Sequence, residues 1–416
     1  MNLLFFHLMP YTELPDDFRD KNEGVWVNID PSLFDPARGS IMYNDFIDEL
    51  EYAAECGFDA ICVNEHHSNG YGLMPSPNLI ACALARGTRD AAICVLGNSI
   101  ALYNPPTRVA EELAMIDVIS GGRLIAGFPV GTPMDTAYAY GSNPSMLRQR
   151  YQEAHDLIIK AWTSSKLFAF NGRFNKQRYV NPWPRPLQKP HPPVWIPAGS
   201  SVEAMKWCVE MDYVYTQLSY FGAVSGRKAM AGFWEEVDRA GKARNPYCAG
   251  FLQFVGVAET REQAIDLYSE PAEYFYGRCL HLDPSFSSPP GYMTEASQRV
   301  GLQSQVKKGA ATFGNTITSM ETIVDNGYVI IGSPDEVAEQ LGDIAIELNV
   351  GQLLLLLHFG SMSKDLTRYN TKLFAEKVAP KLRGLFPDWE DKWWPQGARP
   401  SSGRPVSIAP TVHSAL

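Results

Sequence analysis

Short apolar runs alternate with longer amphipathic stretches along most of this 416-residue chain, and that alternation limits its possible folds more than any other feature. The runs are apolar throughout, which predicts strands buried on both faces, as in a parallel sheet. Apolar residues in the longer stretches recur at helical spacing. The predicted strands are Leu3–Met9, Phe58–Val63, Ala91–Leu96, Leu124–Phe128, Val194–Ile196, Tyr213–Thr216, Phe251–Val257 and Leu353–Leu357. The predicted helices are Ile41–Cys56, Leu79–Arg86, Thr107–Ile119, Leu147–Trp162, Val202–Met211, Arg261–Phe275, Pro334–Leu348 and Lys364–Val378.

About eight strand–helix units favour an α/β fold that closes into a (β/α)8 TIM barrel. An open dinucleotide-binding sheet is the alternative, and the lack of a GxGxxG pattern after the first strand counts against it. We assign residues 1–385 to the barrel. Within it, 277–326 lacks steady periodicity and is predicted to be an irregular insertion before the last strand–helix units, either a lid or a dimer-contact arm. Residues 386–416 are predicted to be a C-terminal tail, rich in Trp at first and then in Pro, Ser and Gly.

The helix ends carry recognisable signals. Thr107 is the expected N-cap of its helix, and the pair Gly121-Gly122 is expected to end it. Ser333 is the expected N-cap of the helix that has Pro334 at its first position.

Charge and cysteine content exclude several classes of function. The net charge is −10 and the pI about 5.4, the reverse of the basic surplus typical of nucleic-acid binders. No apolar run approaches the ~18 residues that span a bilayer, and the apolar N-terminus lacks the features of a signal peptide. The seven cysteines are scattered without a CxxC pair, which predicts reduced thiols. We therefore expect a cytoplasmic protein that binds neither nucleic acid nor membranes.

Three ionisable residues, Glu65, His66 and His67, directly follow the predicted strand Phe58–Val63. In a (β/α)8 barrel the active site lies at this end of the strands. Strand alternation points Glu65 and His67 one way and His66 the other. The cluster is either a hydrogen-bonded structural group or a catalytic site in which a carboxylate orients an imidazole. A metal site that also uses His358 is a third possibility, but adjacent histidines point apart, so we predict no metal.

A second candidate site follows the strand Val194–Ile196, where Gly199, Ser200 and Ser201 lead into a helix. Small residues at a helix N-terminus let backbone N–H groups approach an anion. A plain N-cap is the alternative reading, and a basic residue nearby would favour the anion site. Arg148 and Arg150 are the candidate basic residues, with Tyr151 beside them, although both arginines could equally be solvated.

Five segments, in order, resemble the bacterial luciferase-like flavin-dependent monooxygenases. The first is the string Glu65-His66-His67 with Gly72 after four further residues. The others are NPPTRVAEE with IDVISGGR (104–112 and 116–123), RQRYQEA (148–154), WPRPLQKPHPPVW (183–195) and IGSPDEV (331–337). Together these matches extend over nearly the whole barrel. One departure is Pro129-Val130-Gly131, where the family often has an arginine or a small residue after the fourth strand.

The resemblance implies a (β/α)8 barrel that uses reduced FMN and O2 to oxygenate a small organic substrate through a C4a-(hydro)peroxyflavin. By position, His66 would be the catalytic imidazole, flanked by Glu65 and His67. Arg148, Gly199, Ser200 and Ser201 would hold the FMN phosphate, with Tyr151 nearby, and Asn98 would lie beside the isoalloxazine. Arg108 and Arg123 are expected to form structural ion pairs.

The resemblance and the lack of a nicotinamide fingerprint imply a separate flavin reductase, and a homodimer or heterodimer is expected. Three alternatives stay open: a deazaflavin-dependent oxidoreductase that transfers hydride, a non-catalytic flavin-binding protein and a metal hydrolase. The sequence does not identify the substrate, nor does it decide between hydroxylation, Baeyer–Villiger oxidation and light emission.

Overall fold

The computed structural model describes residues 1–218, 220–294 and 319–398. Eight parallel strands close a barrel in the circular order β1-β2-β3-β4-β7-β8-β9-β11. The strands are β1 Asn2–Phe6, β2 Ala60–Val63, β3 Ala92–Val95, β4 Leu124–Gly127, β5 Phe168–Asn171, β6 Lys176–Val180, β7 Val194–Ala198, β8 Val214–Gln217, β9 Ala249–Val257, β10 Val329–Gly332 and β11 Gln352–Leu356. The predicted (β/α)8 barrel is thus confirmed, and all eight predicted strands are present.

Helices surround the barrel. They are α1 Phe18–Lys21, α2 Pro36–Glu55, α3 Pro77–Gly87, α4 Thr107–Ser120, α5 Pro144–Thr163, α6 Val202–Met211, α7 Gly222–Arg239, α8 Arg261–Tyr274, α9 Pro284–Ser287, α10 Met320–Asp325, α11 Pro334–Leu348, α12 Lys364–Leu373 and α13 Ala379–Leu382. Three π-helical turns, Met134–Ala139, Phe275–Cys279 and Phe374–Val378, and three 3-10 turns, Pro31–Leu33, Ile100–Leu102 and Pro246–Cys248, complete the described elements. None of the described helices combines the length and apolarity needed to cross a membrane.

The barrel strands are buried along almost their whole length, as their uniformly apolar sequences require. The sequence analysis missed α7, β10 and the antiparallel hairpin β5–β6. The hairpin lies outside the barrel sheet, and its strands of four and five residues are largely half-buried or exposed, so each is too short to give a clear periodic signal. β10 pairs with the second half of β9, beyond the barrel proper.

The helix ends agree with two of the three expectations. Gly121 ends α4 with φ 71°, a left-handed conformation that suits glycine. Before α11, the Glu336 carboxylate accepts hydrogen bonds from both the backbone N–H and the hydroxyl of Ser333, so this start is a capping box. The N-cap expected at Thr107 is wrong: Pro106 occupies that position, and Thr107 is already helical.

The first residues of the chain meet the segment around Asp391 at the N-terminal end of the barrel. Asp391 accepts hydrogen bonds from Asn2 of β1 (2.8 Å) and Gln352 of β11 (2.7 Å). Trp393 Nε1 donates to the backbone oxygen of Asp212. The first part of the predicted tail, as far as residue 398, therefore packs on the barrel; 399–416 lie outside the described residues.

Candidate functional site

His66 and Asp135 form a close pair at the C-terminal end of the strands. The Nδ1 atom of His66, which follows β2, lies 2.9 Å from Oδ2 of Asp135, in the π-helical turn after β4. Asp135 Oδ1 accepts hydrogen bonds from the backbone N–H of His67 (2.8 Å) and from Trp26 Nε1 (3.1 Å). Burial acts to raise the pKa of Asp135, but His66 and these donors outweigh it and lower the pKa. The ionised carboxylate therefore fixes Nδ1–H of His66, which leaves Nε2 to exchange a proton with a ligand.

Aromatic rings enclose the His66 imidazole. Trp26 and Tyr71 stack on each other at 4.6 Å and both meet His66 edge-on, with ring centroids 5.0 Å away. Glycine is needed at position 72 for a steric reason. A Cβ on Gly72 would lie 2.9 Å from the Leu8 carbonyl oxygen and 3.5 Å from the His66 ring. Gly72 thus lets the chain pass between the His66 ring and the segment that follows β1.

Glu65 and His67 form a second pair, on the other side from His66, as strand alternation predicted. His67 Nε2 lies 2.9 Å from Glu65 Oε1. Glu65 Oε2 accepts from Tyr103 OH at 2.9 Å and from Asn98 Nδ2 at 3.3 Å. Burial and the Glu65 carboxylate raise the pKa of Tyr103, so the phenol stays protonated and donates. Asn98 Oδ1 is buried without a hydrogen-bond partner among the described residues, which leaves it able to accept from a ligand.

The turn Gly199–Ser201, which we call the anion turn, leads into α6 and has one neighbour that was not predicted. Ser201 is the N-cap of α6, and Arg148 Nη2 lies 3.4 Å from its hydroxyl oxygen. The Ser201 hydroxyl also donates to Glu203, a carboxylate in the first turn of the same helix. Glu203 in turn accepts from Thr294, which belongs to the predicted insertion. A negative side chain thus already lies at the helix N-terminus that an anion would use.

These residues fit a flavin phosphate on two observations. Arg148 Nε is buried without a hydrogen-bond partner in the described part of the chain, which is unfavourable until an anion binds it. The turn is also open, because a Cβ on Gly199 would meet no atom within 4 Å. A cavity of about 220 Å³ lies beside it, lined by residues that follow β7 and β8, among them Ser200 and Tyr220.

Tyr151 is buried, and its hydroxyl donates to the Phe128 carbonyl oxygen at 2.7 Å, just after β4. This bond occupies the phenolic hydrogen, so Tyr151 would contribute to a cofactor site through its ring. Arg150 lies over the Phe174 ring of the β5–β6 turn.

Asp135 was not among the site residues predicted from the sequence. The signal was present, because Asp135 is the single carboxylate between Asp117 and Glu153 and follows the end of a barrel strand. Of the two arginines that were expected to form structural ion pairs, one does so with a described residue and the other does not. Arg108 pairs with Glu112 as expected. Arg123 instead donates to the Thr88 hydroxyl and to carbonyl oxygens, including those of Ala85 and Ala91. In the described part of the chain it is therefore held mainly by neutral acceptors, with Asp90 as a nearby negative charge.

Among the described residues, one group of three side chains could hold a metal ion: His7, Glu49 and His358, all buried. The structure therefore separates His358 from His66 and His67. His7 Nε2 and His358 Nδ1 each lie 2.9 Å from the same Glu49 oxygen. His7 Nδ1 accepts the backbone N–H of Met9, so a neutral His7 carries its proton on Nε2. A metal-bound histidine needs the opposite arrangement, which disfavours metal binding here.

Comparison with known proteins gives one family. The family model described as luciferase-like monooxygenase matches residues 28–350. The uncharacterized protein y4wF of Sinorhizobium fredii is 34% identical over 358 residues, 83% of this chain and 94% of that protein. Limonene 1,2-monooxygenase of Rhodococcus erythropolis is 23% identical over 349 residues, 80% of each. The oxygenase component of flavin-dependent trigonelline monooxygenase from Acinetobacter baylyi is 30% identical over 164 residues, 38% of this chain and 43% of that protein.

Two solved structures are similar in fold. The oxygenating constituent of 3,6-diketocamphane monooxygenase from Pseudomonas putida, in complex with FMN, gives a TM-score of 0.68 at 18% identity and covers 92% of this chain and 98% of its own. An F420-dependent secondary alcohol dehydrogenase gives 0.62 at 16% identity, with 92% and 99% covered. At such identities the likeness concerns the fold alone.

Proposed function

The chain belongs to the luciferase-like monooxygenase family, and from this we infer that it is an FMN-dependent monooxygenase that uses reduced FMN and O2 to oxygenate a small organic substrate. The observation that carries the proposal is the pair of half-buried His66 and buried Asp135 at the C-terminal end of the barrel. It lies on the same rim as Arg148 and the anion turn that ends in Ser201. A reduced flavin bound there would supply the electrons that activate O2.

The side chains divide the remaining work. Asp135 holds His66 in one orientation and one tautomer, so that Nε2 can take up or release a proton at the reacting centre. Trp26 and Tyr71 keep water from the imidazole, since both are at least 98% buried. Exclusion of water from an active site protects reactive intermediates from side reactions. Glu65 and His67 hold Tyr103 and Asn98, whose free Oδ1 can accept a hydrogen bond from the flavin ring.

A titration of the purified protein with FMN, reduced FMN and a reduced deazaflavin tests the cofactor. We expect reduced FMN to bind more tightly than oxidised FMN. Arg148→Ala should weaken FMN by roughly 10–150-fold, the worth of a charge-assisted hydrogen bond, and riboflavin much less. Lys228→Ala, an exposed residue on α7, is the control. Preference for the deazaflavin would favour hydride transfer without O2 and contradict the proposal.

Replacement of the imidazole tests the chemistry. His66→Ala should keep the fold and FMN binding but lose roughly 10²–10⁴-fold of turnover, the usual contribution of a general acid–base group. His191→Ala, a half-buried histidine just before β7 and therefore at the opposite end of the barrel from the site, is the control. Unchanged product formation by His66→Ala would remove the imidazole from the mechanism.

The insertion is proposed to act as a lid. Its described part reaches two regions at the C-terminal end of the strands. In the segment between β4 and α5, Tyr292 OH donates to the Gly131 carbonyl oxygen and the Phe286 ring packs on Tyr138. In the first turn of α6, Glu203 accepts from Thr294. The predicted anchor Phe313 lies outside the described residues. Limited proteolysis should cut 277–326 readily without ligand and less readily with FMN or substrate. A dimer-contact arm would instead be protected regardless of ligand.

We also propose the partners and the compartment. A separate flavin reductase would supply reduced FMN to a dimer of this chain. All seven cysteines are free, and five of them are buried, which suits a reducing cytoplasm.

A further inference from the structure

One segment of the chain has a charge opposite to that of the whole. Residues 157–202 contain seven Lys and Arg and no Asp or Glu, although the net charge of the chain is −10. We call residues 164–189 of this segment, which include the hairpin β5–β6, the basic arm. Its exposed basic residues are Lys166, Arg173, Lys176, Arg178 and Lys189.

The Glu153 carboxylate binds the backbone of the basic arm and does not form ion pairs with the basic side chains of the arm. Glu153 of α5 accepts from the backbone N–H of Arg173 (2.6 Å), Phe174 (3.0 Å) and Asn175 (2.6 Å). The Arg173 guanidinium donates to Gln149 and to the sulfur of Met146. Within the described part of the chain, none of the five exposed basic side chains forms an ion pair. The arm is therefore held rigidly while its charges face solvent.

Large aromatic side chains lie among these charges. Trp183 is 81% exposed and Tyr179 77%, the two highest exposed fractions among the large hydrophobic side chains of the described residues. Arg178 is adjacent to Tyr179. Trp, Tyr and Arg are the residue types that dominate binding energy at protein interfaces, and the positive charges among them select an acidic surface.

The basic arm also lies beside the proposed cofactor site. Gln149 and Arg150 of α5 contact the hairpin, while Arg148 of the same turn reaches Ser201 in the anion turn. Gln177 of β6 donates to Thr107 at the start of α4, which follows β3 on the same rim. A protein bound to the arm would therefore lie beside the proposed cofactor site.

We propose that the basic arm is the docking surface for an acidic face of the flavin reductase, so that reduced flavin passes from a bound partner. This rests on the proposed function, since only an enzyme that receives its flavin in reduced form needs such a partner. The charges would speed and orient the encounter, and Tyr179 and Trp183 would supply the contact area.

The test uses the full chain and the purified NAD(P)H:FMN reductase that supports its turnover. We expect a complex in sedimentation velocity at low salt that weakens as salt rises. Lys176→Glu/Arg178→Glu and Trp183→Ala should each raise its Kd by at least about tenfold. They should also slow reductase-coupled turnover at limiting reductase. Binding of free, photoreduced FMN should not change. Lys228→Glu/Lys377→Glu, with the same charge change at exposed sites elsewhere, is the control and should behave as wild type.

Wild-type affinity of the hairpin variant for the reductase, or the absence of any complex with the wild-type chain at low salt, would overturn the docking surface. A change in the mass of the chain alone on hairpin substitution would overturn it too, because the arm would then join copies of this chain. Failure of the wild-type chain to bind free reduced FMN would instead overturn the proposed function, and this separates the two failures.

Discussion

Asp135 connects more parts of the site than any single histidine does. Its carboxylate contacts the His66 ring, the His67 backbone, the Trp26 indole and the Thr132 hydroxyl. These groups come from three separate stretches of chain, so one side chain sets the geometry of the imidazole and of its aromatic wall. Asp135 is a positioning residue, since it acts through His66.

Asp135→Asn should preserve the volume of the side chain and remove its charge. We expect turnover to fall by roughly 10–100-fold, as for other partners that orient a functional histidine, and the pH profile of turnover to change because the tautomer of His66 is no longer fixed. FMN affinity should change little. Asp156→Asn, at an exposed carboxylate beside His155, is the matched control. A wild-type pH profile for Asp135→Asn would show that the carboxylate only supports the fold.

The buried group His7, Glu49 and His358 should make the fold sensitive to acid. Burial and His358 lower the pKa of His7 to about 4, from an ordinary 6.5. Between pH 6.5 and about pH 4 the unfolded chain therefore binds a proton at His7 that the folded chain does not bind. The free energy of unfolding falls as the pH decreases through this range. Burial acts to raise the pKa of Glu49, but the two imidazoles lower it to about 2, which adds a loss in the same direction at lower pH.

Denaturant unfolding at pH 7 and pH 4 measures this effect. The wild type should lose roughly 3 kcal/mol of unfolding free energy from His7 alone. His7→Gln should be less stable at pH 7 but should show a shallower decline with pH. His281→Gln serves as the control. Equal slopes in wild type and His7→Gln would contradict the assignment of the acid sensitivity to His7.

At the residue scale, the sequence predicted only contacts between side chains that are close together in the chain. Strand alternation placed Glu65 beside His67 because both belong to one stretch of extended chain. It could not join His66 to Asp135, which are 69 residues apart. That pairing requires the closed barrel, in which β3 separates β2 from β4 but their following loops still meet.

At the scale of elements, helix α6 combines two opposing features. Its N-terminus and Ser201 favour an anion, yet Glu203 in its first turn is itself an anion bonded to Ser201. A phosphate at this turn must therefore compete with the helix's own carboxylate. The bond from Thr294 to Glu203 makes the insertion part of the same arrangement.

Glu203→Gln should remove this competition while keeping a side chain that can hydrogen-bond. We expect FMN to bind about 3–10-fold more tightly and riboflavin to be unaffected, because repulsion acts on the phosphate alone. The helix should lose about 0.3–1 kcal/mol of stability with its N-terminal charge. Glu210→Gln, at the other end of the helix, is the control. Weaker FMN binding would mean that Glu203 supports the turn and does not oppose the ligand.

Long periodic elements were predictable, since each of the eight predicted helices is present within a few residues. The hairpin β5–β6 was not, because its strands of four and five residues are held by Glu153 of α5 and by one another. Such an element depends on a surface that exists only after the barrel has formed. The feature of the hairpin that was visible in the sequence is its positive charge. A surface charge indicates contact with solvent or a partner, but it does not predict a strand.

At the scale of the whole molecule, helices α3 and α4 present apolar side chains on their outer faces. Met115, Val118 and Ile119 of α4 are 44–48% exposed and recur at helical spacing, while Leu79 of the neighbouring α3 is 73% exposed. α4 also buries an inner stripe against the barrel, including Val109 and Leu113. A helix that is apolar on two faces should bury both of them, and the barrel covers only one. We propose that the second cover is the same face of a second copy, because the expected dimer requires a self-complementary apolar surface.

Leu79→Glu/Met115→Glu should therefore shift the protein from dimer to monomer. Each buried side chain of this size contributes about 1.5–3 kcal/mol when removed from water, so loss of both, with two charges facing each other across the axis, should raise the dimer Kd by at least about 100-fold. Sedimentation velocity over a range of concentrations measures it. Val224→Glu/Ile346→Glu changes equally exposed residues on α7 and α11 and should leave the mass unchanged. A wild-type chain that stays monomeric, or a Leu79→Glu/Met115→Glu variant that stays dimeric, would show that this face is not the contact; dissociation by the control pair would place the contact on the opposite side of the barrel.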